Sequence, residues 1–293
     1  MPRPTVHEAA GVPDEIAQQL ADSFEIVASP SDALGVVTTP AIPVDEAFLD
    51  AAGPQLRIVA NYAVGLDNID LDATRARGVV VSNTPGVLTN ATAEHAIGLA
   101  LALLRRIAEG DRSLRRRDEW EWGPDFMVGE GLEGKDLLVV GPGRIGRRVA
   151  ELALAHGARV SFAGRGDDLH AALAAAEVVS VHCPLTPETR HLLDADALAA
   201  MKPTAVLVNT ARGPVVDERA LVAALERGAL AGAALDVFEN EPVVSAELLS
   251  MENVVLTPHI ASATRETRLA MGMLVVSALR AVLLEDRIPE NAV

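Results

Sequence analysis

The segment DLLVVGPGRIGRRVAELALAHG, residues 136–157, decides the fold of this chain. Its apolar start predicts a strand, its Ala-rich end predicts a helix, and Gly141, Gly143 and Gly146 form the turn between them. In such a turn the first glycine permits a tight bend, the second lets the backbone approach a pyrophosphate, and the third lets helix pack on strand. The helix N-terminus presents free N–H groups to the anion. The segment therefore predicts a Rossmann-type dinucleotide site, with a glycine-rich turn that binds nothing as the alternative.

Short apolar runs continue on both sides of this segment. Six are apolar nearly throughout: DLLVVG (136–141), RVSFAG (159–164), VVSVHC (178–183), AVLVNT (205–210), AGAALD (231–236) and NVVLTP (253–258). Because strands covered by helices on both faces have this character, the runs predict one buried parallel sheet. Upstream, FEIVA, LGVVTT, LRIVAN and GVVVSN alternate with polar helical stretches between about 24 and 84, which is typical of βαβ units.

The predicted fold class is therefore α/β, with two doubly wound parallel-sheet domains. One is a Rossmann-type dinucleotide-binding domain of residues 85–263, and the other is a smaller, flavodoxin-like domain of residues 1–84 and 264–293. Residues 1–33 carry a weaker pattern, and the usual first strand is hard to place there.

Two long helices are predicted outside the sheets. TNATAEHAIGLALALLRRIAEG gives a helix over about 91–108 whose apolar residues surround it on nearly all sides. Such a helix needs cover from both domains or from a second subunit, and we favour a homodimer interface. The adjacent basic cluster RSLRRR (112–117) is expected to be a solvated or inter-subunit helix face. A C-terminal helix that stops at Pro289 is expected to return to the first domain.

Composition and charge exclude several classes of protein. The formal net charge of −16 argues against nucleic acid as a partner, since its binding needs Lys and Arg on phosphates. The longest apolar stretch, AIGLALALL (96–104), is much shorter than the ~20 residues that span a bilayer. One cysteine, Cys183, cannot form an internal disulfide, and the N-terminus lacks the apolar core of a signal peptide. We therefore expect a cytoplasmic protein that binds no membrane. No metal-ligand spacing of Cys and His is present.

The turn in VSFAGRGDD (160–168), after the end of an expected buried strand, indicates which dinucleotide binds. An acid roughly 20 residues after the glycines usually accepts hydrogen bonds from the ribose hydroxyls of NAD, but Gly164 stands there. Without that carboxylate nothing repels a 2′-phosphate, and the neighbouring Arg165 can pair with it. The turn therefore predicts NADP(H) as the preferred cofactor. The alternative is that Asp167 or Asp168 reaches the ribose, so that NAD(H) binds.

Three residues that follow predicted strands have the chemistry for a keto or hydroxy acid. Arg212 lies in NTARGPVVDE, Glu241 in LDVFENEP and His259 in LTPHIASAT. Ligands of open α/β sheets bind beyond the carboxyl ends of the strands, so we expect these side chains to meet. A guanidinium offers a planar fork to a carboxylate, and an acid beside a histidine keeps it protonated for donation to a carbonyl. Singly, each residue has an equally good structural explanation. Structural roles are expected for the other histidines near helices and strand ends, His95, His156, His182 and His191.

Together with NYAVGLDNID (61–70) and VHCPLTPETRHLL (181–193), these motifs resemble the D-isomer-specific 2-hydroxyacid dehydrogenase family. The resemblance runs from about residue 34 to the C-terminus, with the motifs in the family's order. The AGR turn (163–165) and the HIASAT segment (259–264) match its glyoxylate and hydroxypyruvate reductase branch. The resemblance therefore implies an enzyme that reduces a small 2-oxo acid to the D-2-hydroxy acid with NADPH.

The resemblance also implies a role for each residue of the site. Arg212 would hold the substrate carboxylate and polarise its carbonyl, His259 would exchange the proton, and Glu241 would hydrogen-bond the imidazole. Backbone N–H groups of Val64 and Gly65, in the smaller domain, would take the other side of the carboxylate. The active site would then lie between the domains. The resemblance also implies cofactor contacts beyond the three turn glycines, Gly164 and Arg165. These are Thr92, Arg144, Ile145, Cys183, Pro184, Thr189, Thr210, Ala211 and Asp236. Asp236 would contact the nicotinamide carboxamide.

Other functions remain as alternatives to this reductase. Formate dehydrogenases of the same superfamily usually lack an acid at the position of Glu241, which argues against them. A D-3-phosphoglycerate dehydrogenase would normally prefer an acid at position 164. A dinucleotide-sensing scaffold, similar to the corepressors that resemble these dehydrogenases, would bind the cofactor without turnover, and intact Arg212, Glu241 and His259 make that function unnecessary.

Overall fold

The computed structural model describes residues 2–293 and divides the chain into two compact units. The first unit combines the chain up to Leu88 with Ala263–Val293, and the second is Thr89–Ser262. Each unit contains a parallel β-sheet with helices packed against it. The predicted fold class, α/β with two parallel sheets, is confirmed.

The first unit has a five-stranded sheet. Its strands are β1 (Thr5–Glu8), β2 (Glu25–Val27), β3 (Gly35–Thr38), β4 (Ile58–Asn61) and β5 (Val80–Ser82). Its helices are α1 (Asp14–Ser23), α2 (Glu46–Ala52), α3 (Leu71–Ala76) and a C-terminal helix, Arg265–Leu283. The strand order is β2-β1-β3-β4-β5, and all neighbours are parallel. The order reverses between β1 and β3, as in flavodoxin-like sheets.

Strand β1, which the sequence pattern did not predict, lies between β2 and β3 in the first sheet. Its sequence TVHE has one apolar side chain, that of Val6, which is fully buried. Main-chain pairing with both neighbouring strands holds β1 in place, and Nδ1 of His7 lies 3.1 Å from the Val27 carbonyl oxygen. Four residues with one apolar side chain give no periodic signal, so this strand depends on its partners.

The second unit has a six-stranded sheet. Its strands are β6 (Asp136–Val140), β7 (Arg159–Ala163), β8 (Val178–Val181), β9 (Val206–Asn209), β10 (Gly232–Leu235) and β11 (Val254–Leu256). Its helices are α4 (Thr89–Leu104), α5 (Ile107–Arg116), α6 (Arg144–Ala155), α7 (Leu169–Ala175), α8 (Ala195–Ala200), α9 (Glu218–Glu226) and α10 (Ala246–Ser250); the C-terminal helix is then α11. The order β7-β6-β8-β9-β10-β11 reverses between β6 and β8. All six apolar runs predicted as strands form strands.

Strand β7 is not buried on both faces, so that part of the prediction was wrong. It pairs only with β6 and forms one edge of the sheet. The Phe162 side chain is 43% exposed, and the Arg147 guanidinium lies 6.0 Å from the centre of its ring. An apolar run shows that a segment suits a strand, but the position of that strand in the sheet depends on strand order, which is not a local property.

Helix α4 ends at Leu104, and not near residue 108 as predicted. The Leu104 carbonyl accepts a hydrogen bond from the N–H of Glu130 at 2.8 Å. Arg106 then takes a left-handed conformation with φ of 55°, and α5 begins at the next residue. A distant segment of the chain therefore determines where α4 stops. Among residues 2–293, no helix has the length and apolar character needed to cross a membrane.

Helix α11 packs on α1 and on β3, β4 and β5, as expected for a C-terminal helix that returns to the first unit. It ends at Leu283, well before Pro289, so the predicted end was wrong. The Arg280 carbonyl accepts hydrogen bonds from the N–H groups of both Leu284 and Glu285, and Asp286 is left-handed with φ of 51°. The turn closes the helix before the proline is reached.

The basic cluster 112–117 lies on α5 up to Arg116, and three of its arginines pair with acids. Arg112 and Arg116 both contact the Glu252 carboxylate, and Arg115 pairs with Asp111 at 2.7 Å. These ion pairs neutralise much of the local positive charge. The cluster therefore fits a solvated helix face better than a phosphate-binding patch.

Candidate active site

The glycine turn joins β6 to α6. Gly141 has a φ of 96°, and a Cβ there would lie 2.5 Å from the backbone nitrogen of Cys183. A Cβ on Gly146 would lie 2.3 Å from the Gly141 carbonyl oxygen, because the helix packs directly on the strand end. A Cβ on Gly143 would meet nothing within 4 Å. The protein's own packing therefore requires the first and third glycines, whereas the second leaves open space beside the turn.

Helix α6 begins at Arg144, and Gly143 before it has no side chain to cap the helix. The first N–H groups of a helix have no partner within it and carry the positive end of its dipole. The open space at Gly143 lies at this end of the helix. Turn and helix together therefore fit the pyrophosphate of a dinucleotide. Ile145, in the first turn of the helix, is half-buried, whereas Arg144 is exposed.

The turn after β7 brings Gly164 and Asp167 together. The Gly164 N–H donates to Oδ2 of Asp167 at 2.7 Å. Asp168 instead caps α7, where it accepts the N–H of Ala171 at 3.0 Å. Of the two acids considered for the ribose, Asp167 is therefore the one beside Gly164. Since Arg165 is exposed in the same turn, the turn offers both a cation and an acid.

The positive charge of Arg165 also acts on the loop after β8. The pKa of Glu188 lies below its ordinary value, chiefly because the Thr186 hydroxyl bonds to its carboxylate, and in smaller part because of the Arg165 charge. Glu188 is exposed and gave no signal in the sequence. It adds a second acid to the surroundings of Arg165.

The loop after β8 contains Cys183, Pro184 and Thr189. Burial raises the pKa of the Cys183 thiol to about 11, so the thiol stays protonated at neutral pH. Thr189 Oγ1 donates to the Pro184 carbonyl at 2.6 Å and accepts the Thr186 N–H at 2.7 Å. Loss of hydration lowers the pKa of the preceding His182 to about 3, so that imidazole is neutral. A cofactor that contacts this loop as predicted would therefore meet uncharged groups.

Thr92 lies on α4, whereas Thr210 and Ala211 directly follow the carboxyl end of β9. Thr92 and Thr210 are buried, and the Thr210 hydroxyl has no hydrogen-bond partner among residues 2–293. Because buried hydroxyls in proteins are nearly always hydrogen-bonded, this one is suited to a bound ligand or water. The Ala211 N–H donates to Oδ1 of Asn209 at 3.0 Å.

Asp236 holds the turn that carries His259. The side chain is fully buried, and its oxygens accept hydrogen bonds from Thr257 Oγ1 at 2.6 Å, the Ile260 N–H at 2.8 Å and the Ala261 N–H at 2.8 Å. Burial favours the neutral carboxyl, but these bonds and one from His95 keep the pKa of Asp236 below its ordinary value. Its carbonyl also accepts the His259 N–H at 2.7 Å. The predicted nicotinamide contact would add to this positioning role.

His259 and Glu241 form a hydrogen-bonded pair, with Nδ1 of the imidazole 2.8 Å from Oε2 of the carboxylate. The other carboxylate oxygen accepts the Phe238 N–H at 3.0 Å. Burial alone would raise the pKa of Glu241, but the hydrogen bond and charge of His259 and the charge of Arg212 hold it below its ordinary value. Glu241 is therefore ionised at neutral pH. Since Nδ1 faces this carboxylate, Nε2 is the nitrogen left for proton exchange.

Arg212 follows β9 by three residues and is fixed by the strand end. The Asn209 side chain donates to the Arg212 carbonyl at 2.9 Å, and Nη1 of Arg212 donates to the Ala211 carbonyl at 2.9 Å. Its charge lies close enough to Glu241 to lower the pKa of that carboxyl. The structure therefore brings together all three residues that the sequence singled out. The sequence pattern did not single out Asn209, whose only signal is an amide at the end of an apolar strand.

Val64 and Gly65 lie in the first unit, after β4. Nδ2 of Asn83 donates to the Val64 carbonyl at 2.9 Å, and Nδ2 of Asn61 donates to the Gly65 carbonyl at 2.7 Å. These bonds fix the orientation of the loop peptides. In the part of the chain that the structure describes, no three His, Cys, Asp or Glu residues are grouped so that they could hold a metal ion.

Comparison with protein families gives a match to the D-isomer specific 2-hydroxyacid dehydrogenase NAD-binding domain over residues 97–261. The chain is 45% identical to a glyoxylate reductase from Aeropyrum pernix, with 90% of this chain and 83% of the relative covered. It is 41% identical to a glyoxylate reductase from Pyrococcus furiosus, with 94% and 91% covered.

Solved structures agree with these sequence matches. A protein from Thermus thermophilus superposes with a TM-score of 0.92 at 41% identity, over 99% of both chains. The NADPH-dependent glyoxylate/hydroxypyruvate reductase of Sinorhizobium meliloti, solved with NADP and malonate, has a TM-score of 0.88 at 36% identity, over 99% of this chain and 97% of that one. The chain therefore belongs to the D-isomer-specific 2-hydroxyacid dehydrogenase family.

Proposed function

We propose that the protein reduces a small 2-oxo acid, of the glyoxylate or hydroxypyruvate kind, to the 2-hydroxy acid of D configuration. The observation that carries this proposal is the His259–Glu241 pair close to Arg212, in the same unit as the glycine turn. The names of the related glyoxylate reductases support the same substrate class.

The dinucleotide supplies the hydride when it is bound, and the chain supplies the proton and the charge. Nε2 of His259 donates its proton to the carbonyl oxygen as negative charge develops there. The Glu241 carboxylate favours the protonated imidazole that this step needs and fixes the ring through Nδ1. General acid catalysis of this kind commonly contributes ~10² to 10⁴ in rate.

Substrate recognition is assigned to Arg212 and to the loop at Val64 and Gly65. The Arg212 guanidinium holds the substrate carboxylate and draws electron density from the adjacent carbonyl, which a planar group with several donors can do at once. The backbone N–H groups of Val64 and Gly65 are proposed to bind the other side of the carboxylate. The side chains of Asn83 and Asn61 hold that loop in one conformation.

NADP(H) is proposed as the preferred cofactor, with NAD(H) as the alternative. Gly164 carries no acid, and the exposed Arg165 can pair with a 2′-phosphate. The NADPH-dependent relative from Sinorhizobium meliloti supports this preference. Asp167 opposes it, because its carboxylate lies at the Gly164 N–H and must turn away before a phosphate can approach.

One assay tests these proposals. The purified protein is mixed with NADPH or NADH and with glyoxylate, hydroxypyruvate, pyruvate or 3-phosphohydroxypyruvate, and absorbance of the reduced nicotinamide is followed. We expect turnover of glyoxylate or hydroxypyruvate that is faster with NADPH, and chiral analysis of the hydroxypyruvate product should give D-glycerate. Turnover of the phosphorylated acid alone would indicate a phosphoglycerate dehydrogenase. Dinucleotide binding without turnover of any acid would indicate a scaffold.

The assembly proposed for this enzyme is a homodimer. Helix α4 is apolar around most of its circumference, and the segment after it exposes large apolar side chains at Ile107, Leu114, Trp120, Trp122, Phe126 and Val128. Apolar surface of this extent, close to one element, fits an interface between copies of the chain. Sedimentation equilibrium at micromolar concentration tests the proposal, and a monomer would contradict it. A cytoplasmic location also stays a prediction.

A further inference from the structure

A second histidine–carboxylate pair lies beside the first. Nε2 of His191 is 2.7 Å from Oε1 of Glu239, two residues before Glu241. Both His191 and His259 have left-handed backbones, with φ of 53° and 52°. Few residues other than glycine adopt this conformation, although histidine does so more often than most, and its cost of about 1 kcal/mol or more is retained when surrounding contacts fix it. Two neighbouring acids of FENEP therefore each hold one left-handed histidine, but only one of the histidines has a role in the reaction described above.

The His191–Glu239 pair connects three loops at the carboxyl end of the sheet. The N–H of His191 donates to the Pro214 carbonyl at 2.8 Å, in the loop that carries Arg212. Oε2 of Glu239 accepts the Glu218 N–H at 3.2 Å, and the Glu239 N–H donates to Oε2 of Glu218 at 3.0 Å. The loops after β8, β9 and β10 are therefore joined through these two residues.

The loops that carry Arg212 and Glu241 are in direct contact. A Cβ on Gly213 would lie 1.9 Å from both the carbonyl carbon and oxygen of Phe238, so the two backbones touch at this point. The N–H of Phe238 in turn bonds to Glu241. A small change in how the Gly213 loop sits on the Phe238 loop therefore changes the position of Arg212 relative to the Glu241–His259 pair.

We propose that His191 and Glu239 are positioning residues that fix the Arg212 loop against the Glu241 loop. The inference rests on the proposed reductase function, in which Arg212 and His259 act on one substrate. The side chains of His191 and Glu239 are 38% and 21% exposed, so solvent partly screens their interaction and it contributes little to global stability. They contribute by fixing the position of Arg212, at the end of the site that binds the substrate.

Steady-state kinetics test the proposal on His191→Ala and Glu239→Ala, singly and together. Mispositioning of Arg212 should raise the KM for the 2-oxo acid about 5- to 30-fold and lower kcat, with the KM for the dinucleotide changed less than about twofold. The double variant should be no worse than the more damaged single variant, because each single change already breaks the pair. His191→Gln should recover most of the activity, since its side-chain amide can still donate to Glu239.

Hydrogen exchange provides a measurement that needs no substrate. In His191→Ala the amides of Glu218 and Phe238 should exchange faster, while those of β9 and β10 stay protected. His156→Ala is the matched control, because Nδ1 of His156 bonds to the Leu152 carbonyl of its own helix, near the end of α6. If the wild type reduces no 2-oxo acid, the proposed function fails, and the exchange rates still show whether the pair joins the loops. Unchanged exchange rates, or an equal loss of substrate and dinucleotide affinity together with a lower Tm, would overturn the proposal.

Discussion

Nδ1 of His259 lies 2.8 Å from Oε2 of Glu241, and the histidine holds this position with a left-handed backbone. Asp236 offsets the backbone strain of His259, because its carbonyl and carboxylate accept hydrogen bonds from the N–H groups of residues 259, 260 and 261. One imidazole nitrogen is therefore committed to the carboxylate, and the turn allows the ring little freedom.

Substitution of His259 by alanine should lower kcat by ~10² to 10⁴, because the proton donor is lost. Dinucleotide affinity, measured by quenching of protein fluorescence, should stay within a few-fold of the wild type, since the imidazole does not anchor the cofactor. His156→Ala, at an exposed position, serves as the control and should leave kcat unchanged. Retention of most of the wild-type kcat by His259→Ala would exclude this residue as the acid.

Substitution of Glu241 by glutamine should move the alkaline limb of the kcat/KM profile for reduction to lower pH. His259 helps to hold the pKa of Glu241 below its ordinary value, and the resulting carboxylate, whose Oε2 lies 2.8 Å from Nδ1, favours a protonated imidazole. That contribution is present at neutral pH and is lost as pH falls through the lowered pKa of the carboxyl. A neutral amide removes it at every pH. Glu247→Gln, at an exposed position on α10, is the control, and coincident profiles for wild type and Glu241→Gln would contradict the pairing.

Arg212→Lys should reduce kcat/KM by about 10- to 100-fold, because an ammonium keeps the charge but cannot bind carboxylate and carbonyl with one planar group. The loss should appear in both kcat and KM. Arg219→Lys, at an exposed position on α9, should behave as the wild type. Near-normal kinetics for Arg212→Lys would mean that simple charge attraction is enough, and that the proposed substrate position is wrong.

Cofactor choice should depend on the turn at Gly164. Arg165→Ala should weaken NADPH about 10-fold to a few hundredfold and leave NADH nearly unchanged, because charge-assisted hydrogen bonds to the 2′-phosphate are lost. Gly164→Asp should shift preference further towards NADH, because it adds repulsion and an acceptor for the ribose. These effects are measured as kcat/KM for both cofactors.

Asp167→Asn, in the same turn, should shift cofactor preference in the opposite direction. It should favour NADPH, because it removes the negative charge that lies at the Gly164 N–H. A wild type that prefers NADH and loses that preference in Asp167→Asn would show that Asp167 binds the ribose.

Two glycines of the site should respond differently to alanine. Gly143→Ala should leave the free energy of unfolding in urea close to the wild-type value, because its Cβ meets no protein atom within 4 Å, and should weaken dinucleotide binding about 5- to 100-fold by crowding the ligand. Gly213→Ala should lower the free energy of unfolding by ~3 kcal/mol or more, because its Cβ would overlap the Phe238 carbonyl. Tight dinucleotide binding by Gly143→Ala would show that the pyrophosphate does not approach this turn.

The sequence by itself determined the two-sheet α/β fold and the glycine turn, and it singled out the three residues proposed for the site. Apolar runs, glycine spacing and residues just beyond strand ends are local features, and parallel strands collect their carboxyl ends at one edge. Arg212, Glu241 and His259 follow three successive strands of the chain, and they meet because the structure places β9, β10 and β11 side by side.

Only the tertiary structure decided where strands with a weak sequence pattern form and where the predicted helices end. Strand β1 has one apolar residue and forms because two neighbours pair with it, and α4 stops where Glu130 binds its last carbonyl. The contacts of Asp167 with Gly164 and of His191 with Glu239 depend on how turns and loops fold back on each other. The first contact joins a carboxylate to a backbone N–H and the second joins two side chains. Backbone geometry sets the positions of these groups, and residue type and spacing along the chain do not indicate that geometry.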